Sequence, residues 1–169
     1  DNNYLIKFET PIKYIINADL FMIGKKGMKL INSHYKFTNK LRIKNIEHTL
    51  GLLEIELDLI NIYNYEIKKI YTEKELFYEI KQISESIDEY LLAIKYEPDI
   101  IVELKSGSKI AIEYERTQKV KTRILDKAKN YTFELGTGKY NKVIYYCGTG
   151  AIFNYLTEKC IAGIYLKLL

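Results

Sequence analysis

The sequence predicts an α/β domain with a small mixed sheet, preceded by a short β segment. Three observations carry that reading. Ile100-Ile101-Val102, the turn Lys105-Ser106-Gly107-Ser108 and the run 109–114 read as a β-hairpin. Residues 117–134 place Val120, Ile124, Ala128 and Tyr131 at helical spacing, with basic residues between them. Residues 143–147 are then a short apolar strand.

The remaining elements follow in chain order. Residues 4–8 and 11–23 are β-prone, with Asn17-Ala18-Asp19 as a turn, and Gly24-Lys25-Lys26-Gly27 breaks the pattern. A short helix or turn is expected through Met28-Lys29-Leu30-Ile31, and the basic, weakly patterned residues 34–46 read as a linker. Leu53, Ile55, Leu57 and Leu59 alternate as a strand would, whereas Leu50, Leu53, Leu57 and Ile60 share one helix face, with Ile46 a turn earlier. The run 47–64 contains no proline and is long for a strand, which selects helix. Residues 65–78 read as a strand or strand pair, and the acidic residues 79–95 as a loop or irregular helix. Gly148-Thr149-Gly150 opens a helix to about Lys159, and 161–168 is a last strand. The expected division is 1–33 for the β segment, 34–46 for the linker and 47–169 for the α/β domain.

Composition narrows the function classes. With 47% hydrophobic residues and only 2 prolines in 169 residues, the chain is not a disordered one and can bury a core. No stretch is long and apolar enough for a membrane span, and no signal peptide is visible, so a cytoplasmic protein is expected. Cys147 and Cys160 make no disulfide framework, and with only His34 and His48 beside them a structural zinc site is not expected. Net charge is +4 overall, but residues 1–50 carry +5, residues 51–100 carry −7 and residues 101–169 carry +6. A phosphate-binding surface beside a carboxylate cluster would distribute charge in this way, as would an ordinary solvated surface.

One constellation points to chemistry. Pro98-Asp99 opens the first strand of the hairpin and Glu113-Tyr114-Glu115 closes the second, so pairing brings the acidic ends together. Glu113 and Glu115 are two apart on a strand and share a face, toward which Asp99 can converge. Three such carboxylates would hold a hard cation such as Mg²⁺, which activates water and stabilises a phosphate being cut. The plain alternative is solvated strand-end charge. The following helix carries Arg116, Lys119, Lys121, Arg123, Lys127 and Lys129, a density that suits a DNA backbone or, equally, a solvated face.

Asp99, the turn, Glu113-x-Glu115 and the basic helix together resemble the PD-(D/E)xK nuclease-like fold, whose helix–strand–hairpin–helix–strand order matches 47–147. A narrower resemblance is to the replication-relaxation family of plasmid mobilisation and replication proteins. It is carried by Leu20-Phe21-Met22-Ile23-Gly24-Lys25-Lys26-Gly27, His48-Thr49-Leu50, Glu73-Lys74-Glu75-Leu76, Glu97-Pro98-Asp99 and the run from Ala111 to Lys119. The resemblance implies a restriction-endonuclease-like mixed sheet flanked by helices, preceded by a winged-helix-like remnant or wing in 1–33. It implies Asp99 and Glu113 as ligands of Mg²⁺ or Mn²⁺, with Glu115 in the position where most of these nucleases have Lys. That departure is shared by some restriction enzymes that cut, and Lys119, a helical turn on, is placed to substitute. Glu54 and Glu75 would be outer ligands.

The function so implied is DNA binding and processing for a plasmid or other mobile element, in mobilisation or replication, with Arg116, Lys119, Lys121, Arg123 and Lys127 on the DNA. The alternatives are an active metal-dependent DNA endonuclease with Asp99, Glu113, Glu115 and Lys119 as its catalytic set, and a non-catalytic module that partners a relaxase or replication protein. A homodimer is compatible with each, and no membrane partner is expected. Gly148-Thr149-Gly150 reads as a tight strand-to-helix turn rather than a phosphate cradle, because the flanking Lys-Ser/Thr of a P-loop is missing. Cys147 and His48 read as structural residues.

Overall fold

The structure, a computed structural model, describes residues 5–8, 20–23, 43–117 and 121–169. The turn expected at 17–19, the Gly24–Gly27 break, the helix or turn at 28–31 and most of the linker lie outside the described residues. The chain divides into two compact units, Asp1–Ile46 and Glu47–Leu169. In the first, β1 (Leu5–Phe8) and β2 (Leu20–Ile23) pair antiparallel, with Leu5 opposite Ile23 and Phe8 opposite Leu20.

The second unit is built on a five-stranded mixed sheet. Its strands are β3 (Ile67–Thr72), β4 (Ile100–Leu104), β5 (Lys109–Glu115), β6 (Lys142–Cys147) and β7 (Ile164–Leu168), side by side in that order. β4 runs antiparallel to its neighbours β3 and β5, and β6 and β7 run parallel to β5. A parallel neighbour needs a crossover. Helix α4 (Lys121–Gly136) supplies it between β5 and β6, and α5 (Gly150–Glu158) between β6 and β7. The β4–β5 connection is tight because Gly107 takes φ +87°, open to glycine at no steric cost, and its N–H donates to the Leu104 carbonyl at 2.9 Å.

The sheet is covered on both faces. One face carries α1 (Ile43–Tyr63), whose Ile55 and Leu59 are fully buried against Ile100, Val102, Ile110, Ile112, Ile144 and Tyr146. Full burial of each such side chain contributes about 1.5–3 kcal/mol. The other face packs Ala111, Val143, Tyr145 and Cys147 against Ile124, Ala128 and Tyr131 of α4, Ile152 and Leu156 of α5 and Leu76 of α2 (Glu73–Ile83). Strands β4, β5 and β6 are therefore apolar on alternate residues of both faces, which is why the sequence reads there as nearly continuous hydrophobic runs.

Several expectations are corrected. Residues 47–64 are helical, but the helix begins inside the expected linker, at Ile43. Its buried face is Ile55 and Leu59, while Leu53, Leu57 and Ile60 of the expected face are 51%, 56% and 45% exposed. The strand expected over 65–78 ends at Thr72, where a capping box starts α2: Glu75 Oε2 accepts from the Thr72 N–H at 2.9 Å and the Thr72 hydroxyl at 3.1 Å. Of the loop or irregular helix expected over 79–95, helix is found: the end of α2 followed by α3 (Ile87–Ile94), capped by the Ser86 side chain. Among the described residues, no helix is long and apolar enough to cross a membrane.

Candidate functional site

The β4–β5 hairpin places two carboxylates on one face. Ile100 lies opposite Ile112, so Asp99, just before β4, comes level with Glu113. Side chains alternate along a strand. Asp99 therefore shares the face of Ile101, and Glu113 that of Ala111, the face that α2, α4 and α5 cover. Both carboxylates are buried, Asp99 at 7% and Glu113 at 3% exposure. Both line a cleft of about 390 Å³ together with His48 of α1, Glu73 and Phe77 of α2, Leu91 and Ile94 of α3, and Arg123 and Lys127 of α4.

Each carboxylate is held by a defined set of donors. Asp99 Oδ2 accepts the backbone N–H of Tyr114 at 2.7 Å, and its Oδ1 is 3.6 Å from His48 Nε2. The His48 ring stacks on Tyr114 with centroids 5.2 Å apart. That stack exists because α1 carries Gly51 at the contact: a Cβ there would stand 2.3 Å from the Tyr114 ring. Glu113 Oε2 accepts from the Tyr131 hydroxyl at 2.7 Å and the Lys127 ammonium at 2.7 Å. Both bonds fall on Oε2. Arg123, Lys127 and Tyr131 are spaced by four along α4 and form one stripe. It runs from an exposed guanidinium through a half-buried ammonium to a fully buried hydroxyl.

The electrostatics follow from crowding acid groups in a dry place. Burial first, and the Asp99 charge second, push the Glu113 carboxyl up to about 7, against the opposing pull of Lys127 and Tyr131. The Glu73 carboxyl is raised for the same two reasons, burial and then Asp99. Burial works against the Lys127 ammonium, but the charges of Glu113 and Asp99, the bond to Glu113 and the charge of Glu73 outweigh it, so its pKa is raised and it stays cationic. Tyr145, which pairs with Glu113 across β5 and β6, has a buried hydroxyl with no hydrogen-bond partner among the described residues.

Not every residue singled out in the sequence reaches the cleft. Glu115 is buried at 4% exposure on the Glu113 face, opposite Cys147, and is not among the cleft-lining side chains. Lys119 lies outside the described residues. Arg116 precedes α4 and is ion-paired to Glu47 of α1. Lys121 is exposed, its ammonium 5.2 Å from the Tyr155 ring centre, and Lys129 lines a different depression with Lys159. Glu54 is exposed and outside the cleft, and Glu75 is spent on capping α2, so neither expected outer ligand is in place. Lys127, assigned to a DNA-facing surface, turns inward onto Glu113 instead. Glu73, Phe77 and the inward turn of Lys127 are additions from the structure. The Thr72-x-x-Glu75 capping pattern was the sequence signal that places Glu73 at a helix start, beside β3. His48, read as structural, belongs to the cleft wall.

Three further features match their reading. The Gly148-Thr149-Gly150 turn is a tight strand-to-helix junction: a Cβ on Gly148 would stand 2.8 Å from the Arg116 backbone, and the Thr149 hydroxyl caps α5. Cys147 is buried, and burial followed by Glu115 pushes its thiol up to about 11, which removes it as a nucleophile at neutral pH. Cys160 is a second free thiol, so the two cysteines form no bridge.

The donor set suits a hard divalent cation. Mg²⁺ is held by one or two carboxylates with waters and substrate phosphate completing the shell. Asp99 and Glu113 offer oxygen donors in one cleft, where burial first and the Asp99 charge second raise the Glu113 carboxyl. Among the described residues no group of three or more His, Cys, Asp or Glu side chains forms a ready-made cage. No family model, no curated protein and no solved structure matches the chain.

Proposed function

We propose that this chain is a DNA-processing protein whose Asp99–Glu113–Lys127 cleft cuts a phosphodiester bond with the help of a divalent cation. The observation that carries the reading is the meeting of two buried carboxylates and one ammonium in a single cleft at the end of a hairpin, beside an exposed arginine. The element order α1, β3, α2, α3, β4–β5 hairpin, α4, β6 supports it: apart from the inserted pair α2 and α3, it is the helix–strand–hairpin–helix–strand order of the nuclease-like fold that the motif resembles. The resemblance to replication-relaxation proteins supplies the setting, DNA of a plasmid or other mobile element.

A cation held by Asp99 and Glu113 would supply Lewis acidity at the phosphate and a deprotonated water. The chain's own groups do the rest. The Tyr114 N–H fixes the Asp99 carboxylate, and the Tyr131 hydroxyl fixes Glu113, so the two do not depend on solvent for orientation. Lys127 keeps a positive charge beside Glu113 and so favours its ionised form. The same ammonium is placed to offset charge that grows on the phosphate. Arg123, exposed at the mouth, holds a neighbouring phosphate and orients the strand. Lys127 thus fills the role expected for a lysine at position 115, from the helix instead of the strand.

Calorimetric titration with Mn²⁺, paired with an assay on supercoiled plasmid and on circular single-stranded DNA, tests this reading. Wild type should bind Mn²⁺ and cut at least one substrate only when the metal is present, and Asp99→Ala should lose both. Cutting by Asp99→Ala at the wild-type rate, or a wild type that neither binds Mn²⁺ nor cuts, sinks it.

A further inference from the structure

We propose that the substrate of this cleft is a single strand, with the target nucleotide drawn in so that its phosphate meets the carboxylates and its base meets an apolar wall. The inference rests on the reading of the cleft as a phosphodiester site and adds which form of nucleic acid it accepts. Three observations carry it.

The first is depth. Asp99 and Glu113 are 7% and 3% exposed, so the reacting groups lie at the floor, not on a rim. The second is size. At about 390 Å³ the cleft sits near the lower end of the range for pockets that take one small ligand, about 300–1,000 Å³. A duplex keeps its phosphates on the outside of a wide cylinder and cannot push one down to that floor without opening. A single strand bends and carries a nucleotide in.

The third is the chemistry of the walls. Besides the carboxylates, the lining includes the apolar side chains Phe77, Leu91 and Ile94 and the His48 ring. Beyond the lining, Ile87 and Leu92 of α3 are 77% and 67% exposed, and Ile83 at the end of α2 is 78% exposed. Apolar and aromatic groups bind unpaired bases by stacking and burial, but a duplex offers them only a charged backbone. Arg123 and Lys95, also in the lining, supply the cations that track the strand between bases. Carboxylate floor, apolar wall and basic mouth match the three parts of an unpaired nucleotide chain: the phosphate that reacts, the base, and the phosphates on either side.

Fluorescence anisotropy decides the matter, using Asp99→Asn protein with Mn²⁺ present to bind without cutting; an Asn side-chain oxygen can still accept the Tyr114 N–H. The probes are a labelled mixed-sequence oligonucleotide of about 30 nucleotides and the same strand annealed to its complement. The single strand should bind at least about tenfold more tightly than the duplex. Phe77→Ala should lower single-strand affinity by about tenfold and leave duplex affinity unchanged. Because Phe77 also packs on the core, Leu91→Asp is made in parallel. Leu91 is 53% exposed, so this change leaves the fold intact while placing a charge on the wall. Equal or tighter duplex binding, or single-strand affinity unchanged by both variants, overturns the proposal while leaving metal-dependent cutting untouched. Failure to bind either form overturns the proposal and the nuclease reading together.

Discussion

Glu113→Gln tests the electrostatic account of the cleft without removing any atom of the packing. Glu113 has its carboxyl moved from 4.5 to about 7 by burial and the Asp99 charge. The folded protein therefore holds that proton more tightly than the unfolded chain does. Its contribution to stability is fully present below about pH 4.5 and is lost as pH rises through about 7. At about 1.4 kcal/mol per unit, the loss is about 3 kcal/mol, with no discount for solvent at a side chain this deeply buried. Glutamine is isosteric and stays neutral, so the variant lacks that term; Lys127 still faces Asp99 and Glu73. Urea unfolding of both proteins in chelator, at about pH 4.5 and about pH 8, gives the stability difference at each pH. It should move by about 3 kcal/mol in favour of the variant between the two conditions. Other titrating groups are common to both proteins and cancel to first order. Adding Mn²⁺ near pH 8 should restore the wild type and do little for the variant. A difference that does not change with pH would refute the claim that burial and the Asp99 charge raise the Glu113 carboxyl.

Other outcomes follow from the same geometry. Glu75→Ala removes half of the capping box at Thr72 and should cost about 1 kcal/mol of stability, measured by urea unfolding, while Mn²⁺ affinity stays at the wild-type value. Gly51→Ala gains about 1 kcal/mol of helix propensity but drives a methyl group into the buried Tyr114 ring, an overpacking cost of about 1–3 kcal/mol. The net effect should be destabilisation, with loss of the His48–Tyr114 stack visible in the ring proton shifts. Lys121→Ala with Arg123→Ala removes two exposed cations from α4; it should weaken DNA binding uniformly across sequences and reduce the salt dependence by about two counterions.

The sheet was legible because its signals are local. Gly107 between two β-branched runs announced the hairpin, and hairpin pairing alone puts Asp99 level with Glu113. The basic helix, the β6 strand and the Gly148–Gly150 strand-to-helix turn were legible for the same reason. What sequence reasoning lost depends on which way a helix faces. Helix α1 has apolar residues nearly all round, so periodicity could not choose between Leu53–Leu57–Ile60 and Ile55–Leu59, and the sheet chose the second pair. A lysine pattern cannot tell a solvated ammonium from one that turns inward, and Lys127 turns inward because the Glu113 carboxylate is buried beneath it. Residues 73–78 read as strand because Leu76, Phe77 and Tyr78 are β-prone. The capping box at Thr72 and packing of Leu76 into the core outweighed that preference.

The central claim is that Asp99, Glu113 and Lys127 act as one unit on a phosphodiester bond. Single-turnover cleavage of an end-labelled single strand with Mn²⁺, by wild type, Asp99→Ala, Glu113→Gln and Lys127→Ala, tests it most directly. The account predicts product only from the wild type, with each variant slowed by at least about a hundredfold despite retaining its fold by circular dichroism. Cleavage by all four proteins at similar rates, or cleavage lost in Asp99→Ala but unchanged in Lys127→Ala, would contradict it.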